Sequence, residues 1–539
     1  MIWPMGKPRS ELERMPAYAE GTPERDGLLR ELGRLRRAPV EVPLVINGKE
    51  VRSRRTTELF FPHDHGRALA RVHIAGKAEI RSAIRAALAA RRSWAEMDWH
   101  HRAAIFLRAA DMLAGPARAR NIAMIMATHS KTPYEAEIDL VEMVDFWRFN
   151  AYYLRFIFEQ QPDQWPGELN RLDWRPLEGF VAAISPFNFY AIGGNLASAP
   201  AMAGNVVLWK PSTVASPSNF AIMEVLAGAG LPPGVINFVP FPSGESETVL
   251  GHPSLAGVHF TGNYETLVGI WKTVGARLET YRNIPRLVGE TGGKGFLLAH
   301  HSADPAAVAV AIVRGGFEYQ GQKCSALSRA YLPKSLWPAI WKTLLEQLPA
   351  VACGDVSDPR NFMGALISEG AYRKVTGYID YARGRKDDHM VLFDGGRDSK
   401  KGWFVGPTLV RTTDPHSRLL EEEIFGPVVT VYVYDDRDFS AVLTLVNRTS
   451  PFALTGSIFA RDRAAIAAAE SSLRFSAGNF YINDKPTGAA VGRQPFGGAR
   501  HSGTDDKAGS WLNLLRWLAP RAIKETMVPP LEWQRPYMR

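Results

Sequence analysis

Cysteine is almost absent from this chain: 539 residues contain two, Cys324 and Cys353. Two cysteines exclude a disulfide framework, and a thiol that must stay free fits a reducing compartment. The chain also lacks a G-x-G-x-x-G run, so the usual dinucleotide fingerprint is missing. No nucleic-acid motif is present, and the basic balance of +9 is scattered, with one small cluster at Arg34, Arg36 and Arg37 that reads as a solvated helix face. The stretch from Gly179 to Trp209 carries no formal charge, yet Pro186, Pro200 and three asparagines interrupt it. It therefore reads as buried strand, loop, helix and strand, not as a membrane span. The N-terminal residues have no apolar signal-like core, and Glu11, Glu13 and Glu20 argue against a transit peptide. A cytoplasmic protein is expected. His63, Asp64 and His65 lack companions that would complete a metal-ligand set and are read as loop residues, so no metal is expected.

What remains is ordinary globular composition, 46% hydrophobic and 22% charged, over a length that suggests more than one domain. The first forty residues are expected to form a peripheral arm. Asn47-Gly48 predicts a hairpin turn. Helical spacing covers 79–97, 101–113 and 135–158. From 179 to 289, strand-like runs at 180–184, 206–209, 235–239 and 258–261 alternate with helix-like stretches near 194–203, 216–227 and 244–250. That alternation predicts a parallel sheet with crossover helices and a ligand at the carboxyl ends of its strands. A second alternating region runs from about 290 to 490, with a buried strand at 428–433.

Three residues carry the chemistry. Cys324 lies in Gly321-Gln322-Lys323-Cys324-Ser325-Ala326 and is either a nucleophile or a small buried hydrophobe. The adjacent Lys323 would favour thiolate, although adjacency does not fix where its ammonium points. Cys353 reads as the buried hydrophobe. Glu290, in Gly289-Glu290-Thr291-Gly292-Gly293-Lys294-Gly295, is a base or a solvated turn residue. The run is not a phosphate loop, because Gly295 and not Ser or Thr follows Lys294. Asn188, in Ser185-Pro186-Phe187-Asn188-Phe189, is an oxyanion donor or a helix cap. Phe260-Thr261-Gly262-Asn263 ends a strand where a helix N-terminus could face a phosphate.

Taken in order, Ser185-Pro186-Phe187-Asn188-Phe189, Lys210-Pro211-Ser212, Phe260-Thr261-Gly262, Glu290-Thr291-Gly292-Gly293-Lys294, Gly321-Gln322-Lys323-Cys324 and Glu423-Ile424-Phe425-Gly426-Pro427 resemble the aldehyde dehydrogenase superfamily from about residue 45 onward. The run from Gly478 to Arg500, with Glu137-Ile138-Asp139 and Asp145 to Asn150, resembles the branch that oxidises L-glutamate γ-semialdehyde in proline breakdown.

The resemblance implies an α/β fold with a Rossmann-like NAD-binding domain (1–156 and 178–288), a catalytic domain (289–510) and an oligomerisation element (157–177, as a hairpin, with 511–539), and at least a homodimer. It implies that Cys324 attacks the aldehyde, Asn188 and the Cys324 N–H hold the oxyanion, and Glu290 activates water. The cofactor would be met by Ser185, Pro186, Phe187, Lys210, Ser212, Gly262, Asn263, Glu423 and Phe425. Ser325, Gly488 and Ala489 would anchor the substrate carboxylate, Phe189 and Phe496 would flank its stem, and Lys323 and Glu142 would line the site. Three positions depart from the superfamily pattern: Asn263 replaces Ser, Gly295 replaces Asn, and Thr213 stands where many relatives carry a Glu that favours NAD, which admits NADP as an alternative. The rival readings are an aldehyde dehydrogenase for another acidic semialdehyde, a nicotinamide-independent cysteine acyl-transfer enzyme, and a binding protein without catalysis.

Overall fold

A computed structural model describes residues 6–539. The uncharged stretch forms the centre of a seven-stranded sheet. Strands Phe180–Ile184, Val206–Lys210, Ile236–Phe238, Leu255–Thr261 and Arg286–Glu290 are parallel. Their near-continuous apolar sequences follow from burial on both faces, as parallel sheets require. The chain enters at Phe180–Ile184, moves outward through the next two strands, then crosses back to place Leu255–Thr261 on the opposite side. Such a reversal opens a crevice at the carboxyl ends of the strands. The segments that open from those ends begin at Ser185 and Gly262. The crossovers are Tyr190–Met202, Ser216–Gly228 and Ser246–Leu250, in the intervals expected from the sequence.

At the far edge of this sheet, Leu44–Ile46 and Lys49–Val51 pair antiparallel around Asn47 and Gly48. Both turn residues have positive φ, 53° and 71°, which the Asn-Gly pair accepts readily. A second seven-stranded sheet runs in the order His389–Asp394, Thr408–Thr412, Val428–Tyr434, Leu327–Pro333, Gly295–Ala299, Thr455–Phe459, Asn479–Ile482. It is parallel except for its first pair.

Three peripheral expectations are corrected. First, the arm is not peripheral, apart from residues 1–5, which lie outside the described residues. Helix Pro23–Arg37, capped by Thr22, buries Leu28, Leu32 and Leu35 on one face at helical spacing. Ahead of it, Glu11 accepts from Arg118 and Arg148, and Ser10 and the Glu11 N–H both donate to Asp145. Arg36 reaches Asp355 at 2.8 Å, so the basic cluster is not wholly solvated. A charged surface composition concealed the three leucines.

Second, 157–177 holds no two-stranded hairpin. Helix Pro133–Phe158 absorbs its start, and Glu168–Pro176 is a single strand paired antiparallel with Leu518–Thr526. The ladder partner comes from the far end of the chain, a non-local choice that no local turn signal reveals. Third, His63 lies in a turn, as expected, though buried against the Ser130 hydroxyl, whereas Asp64 and His65 belong to the strand Asp64–His73 and not to a loop. Among the described residues no His/Cys/Asp/Glu group could hold a metal ion, and no helix is long and apolar enough to cross a membrane.

Leu35 is 1% exposed. Leu35→Ala is expected to cost about 2–4 kcal/mol in urea unfolding. A loss under about 0.5 kcal/mol, the scale of a surface change, would show that the arm stands outside the core.

Candidate active site

The second sheet meets the first at the carboxyl edge of the latter. Glu290 closes the strand Arg286–Glu290, and the chain passes through Gly292 and Gly293 into Gly295–Ala299 of the second sheet. These glycines are required: a Cβ on Gly292 would strike the Glu423 carboxylate, and one on Gly293 the Cys324 carbonyl. Cys324 follows helix Pro305–Phe317 and a left-handed turn in which Tyr319, Gln320 and Gly321 have φ of 50°, 55° and 65°. Cys324 is 8% exposed, and its Sγ lies 3.8 Å from Glu290 Oε1.

Asn188 is not the cap of helix Tyr190–Met202. The carboxylate of Asp139 takes that place, accepting from the Tyr190 and Ala191 N–H groups at 2.9 and 3.0 Å. This leaves the Asn188 amide free to donate to the Gln322 carbonyl at 3.2 Å, two residues before the thiol. Thiol, carboxylate and amide thus converge from three separate segments.

Burial pushes the Cys324 thiol well above its ordinary range, with the Glu290 and Glu423 charges adding to the effect and the Ser325 and Cys324 N–H groups opposing it. Burial likewise raises Glu290 to about 8, against the Cys324 hydrogen bond and the Lys507 charge. Lys323 does not supply the thiolate-favouring charge that adjacency suggested. Its ammonium turns to Glu135 at 2.9 Å and Glu318 at 3.3 Å. Burial alone would lower it, but those two carboxylates outweigh burial and raise it. Cys353 is also pushed up, to about 12, by burial.

One cavity of about 230 Å³ is lined by Cys324, Glu290 and every residue expected around the substrate: Phe189, Lys323, Ser325, Gly488, Ala489, Phe496 and Glu142. The Ser325 and Thr487 hydroxyls share a hydrogen bond of 2.7 Å, and Gly488 has φ of 94°, a conformation that glycine takes without strain. Burial first, then the Asp139 charge, raises Glu142 to about 8. The sequence reading did not single out Thr487, Lys507, Glu135 or Leu12, all of which also line the cavity. Glu135 was within reach, because Glu135, Ile138 and Glu142 share one helical face. Leu12 and Lys507 carry no local signal.

The remaining expected residues lie along the crevice. Lys210 ends its strand half-buried, lowered by burial, and no carboxylate among the described residues pairs with it. The Ser185 hydroxyl accepts from Trp209, and its N–H donates to the Lys210 carbonyl. Phe187 packs edge-on against Phe425, whose φ is 60°. Ser212 precedes the short turn Thr213–Ala215. The Gly262 N–H donates to the Glu290 carbonyl. Asn263 caps helix Tyr264–Gly275 through the Thr266 N–H at 2.8 Å, so Asn performs the capping that a Ser would. Glu423 Oε1 accepts from the Gly293 N–H at 2.8 Å. Its other oxygen takes no protein hydrogen bond among the described residues.

A buried thiol beside a carboxylate, with an amide held two residues from it, is an arrangement that aldehyde chemistry can use. The chain belongs to the aldehyde dehydrogenase family, whose description matches residues 50–518. Among its relatives is the mitochondrial Delta-1-pyrroline-5-carboxylate dehydrogenase of Danio rerio, 46% identical over 97% of this chain and 94% of that protein. The human protein of the same name is 45% identical over 98% and 94%. The crystal structure of the Delta-pyrroline-5-carboxylate dehydrogenase from Mycobacterium tuberculosis bound with NAD superposes with a TM-score of 0.95 at 46% identity, covering 100% of this chain and 99% of that one.

Because burial holds the resting thiol protonated, alkylation of Cys324 by iodoacetamide should keep rising through about pH 9 in the free enzyme. Mass spectrometry of the labelled peptide measures this, and a plateau already reached at neutral pH would contradict it.

Proposed function

We propose that this enzyme oxidises L-glutamate γ-semialdehyde, the open form of Δ1-pyrroline-5-carboxylate, to L-glutamate in proline breakdown, with NAD as cofactor. The carrying observation is the convergence of the Cys324 thiol, 3.8 Å from the Glu290 carboxylate, with the Asn188 amide on the carbonyl of Gln322. The names of the relatives support the choice of aldehyde, and the NAD-bound solved structure supports the cofactor. The cavity is smaller than the range of about 300–1,000 Å³ that serves drug-sized ligands, which suits a short aliphatic aldehyde.

Cys324 gives its proton to solvent, and the thiolate attacks the aldehyde carbon. The Asn188 amide and the Cys324 N–H hold the oxyanion that forms. NAD, when bound, supplies the acceptor for the aldehyde hydride, which leaves a thioester on Cys324. Glu290 takes a proton from water, the resulting hydroxide attacks the thioester carbonyl, and the C–S bond breaks to release the new carboxylate and the thiolate. Ser325, Gly488 and Ala489 receive the α-carboxylate, Phe189 and Phe496 flank the stem, and Glu142 and Lys323 close the polar end.

The residues along the crevice fit NAD. The unpaired ammonium of Lys210 suits the adenine-side ribose, and the open oxygen of Glu423 suits the nicotinamide-side ribose. The capped helix at Asn263, with Gly262, Ser185, Pro186, Phe187 and Ser212, completes the binding surface, and Phe425 packs by the ring. Thr213 neither repels nor draws a 2′-phosphate, so NAD is preferred on the relatives and not on this residue.

The same proposal divides the chain into the NAD-binding unit (1–156, 178–288), catalytic unit (289–510) and oligomerisation element (157–177, 511–539). Helix Pro133–Phe158 and strand Arg286–Glu290 support moving two of those limits to 158 and 290. A homodimer or higher assembly is part of the reading. Around the paired strands, Trp165, Val528, Leu531 and Trp533 are 71–97% exposed, a cover that a second copy would remove from water. A compartment that keeps Cys324 reduced is part of the same reading, with the cytoplasm as its choice; several relatives are named mitochondrial.

The assay is NADH formation from Δ1-pyrroline-5-carboxylate, repeated with succinate semialdehyde and with NADP. Cys324→Ala should abolish it, and Asn188→Ala should lower kcat roughly 100-fold, about 3 kcal/mol of barrier. Ester turnover without NADH formation would favour the acyl-transfer rival.

Glu290 must be ionised to act, and burial places its titration near 8. The rate of thioester hydrolysis should therefore rise with pH through about 8. In Glu290→Gln a single-turnover burst of NADH should survive while steady turnover collapses. A variant with parental steady turnover would remove Glu290 from the role.

A further inference from the structure

The amide and the thiol come from different sheets, so something must set their separation. The segment His129-Ser130-Lys131 ends helix Arg118–His129 and leads towards helix Pro133–Phe158, and all three residues are 0% exposed. It grips both partners. On the amide side, His129 Nδ1 donates to the Phe187 carbonyl at 2.6 Å, one residue before Asn188. On the thiol side, the Ser130 carbonyl accepts from Gln320 Nε2 at 3.0 Å, in the left-handed turn that leads to Cys324.

Lys131 spans the two sides by itself. Its ammonium lies 4.0 Å from the centre of the Phe189 ring and 4.3 Å from that of Tyr319. Those rings flank Asn188 and open the thiol turn respectively. The same ammonium pairs with Asp139 Oδ2 at 2.6 Å, and Asp139 caps the helix that begins just beyond Phe189. One buried cation therefore holds two rings, and through Asp139 a helix start, on opposite sides of the junction.

A buried ion pair is weak evidence of a stabilising role, because well-packed apolar groups in its place are often neutral or better. What an apolar group cannot supply is the directed attraction of a cation for two ring faces together with a fixed carboxylate. We propose that Lys131 is a positioning residue that sets the Asn188 amide against the Cys324 thiol, and that it acts on the oxyanion step through Asn188. The inference rests on the reading of Asn188 as oxyanion donor.

Lys131→Met, and Lys131→Gln should the first fail to fold, are to be compared with the parent, with Asn188→Ala and with the double variant. Met leaves the buried Asp139 carboxylate without its cation, so the melting temperature should fall by several degrees, and kinetics are read well below it. Expected too are a kcat at least about tenfold lower and a KM for the aldehyde changed by less than about twofold. In the Asn188→Ala background the same substitution should cost less than about twofold more, because its target is already gone. Parental kcat in the single variant, or full multiplication of the two losses in the double, overturns the proposal. If Asn188→Ala itself keeps parental kcat, the donor reading and this proposal both fall. If Asn188→Ala is impaired and Lys131→Met is not, only this proposal falls.

Discussion

The contact between the Cys324 sulfur and the Glu290 carboxylate joins the two sheets, and the surrounding architecture keeps the sulfur buried. Each group alone is unremarkable on its own sheet. Brought together at the carboxyl edge of a parallel sheet, they line one cavity, and burial is the largest influence on the charge state of both. The glycines at 292 and 293 follow from this contact. The chain must cross between sheets directly behind the thiol, where the Glu423 carboxylate and the Cys324 carbonyl leave no room for a side chain.

Burial acts on both groups in the same direction. It raises the Cys324 thiol, which favours its protonated form, and it raises the Glu290 carboxyl to about 8. Lys323, the one cation beside the thiol in sequence, is withdrawn into a pair of carboxylates and does not upset this balance. The Lys323 charge is therefore spent on Glu135 and Glu318, and the cavity around the thiol is lined by hydroxyl, glycine and aromatic residues as well.

Much of the fold was legible because its signals are local. Four of the five parallel strands of the first sheet are apolar runs that the sequence marks, while Arg286–Glu290, with a charge at each end, was not marked. The hairpin at Asn47-Gly48 announces itself by two residues that accept positive φ. The errors fell where the deciding contact is remote. Strand Glu168–Pro176 finds its partner at Leu518–Thr526, and the N-terminal arm is pinned by Asp145, Arg118 and Arg148. No window of sequence contains those partners.

The same division holds at the site. The residue types and their order along the chain marked Cys324, Glu290 and Asn188 as candidates, since each lies in a short motif readable without its distant neighbours. Only the tertiary structure decided that Asp139 and not Asn188 caps the helix, that Lys323 faces away from the sulfur, and that Leu12 and Lys507 reach the cavity. Each of these depends on a side chain from a distant segment arriving within a few ångströms. Direction and distance across a folded core are set by packing, and a linear motif does not encode them.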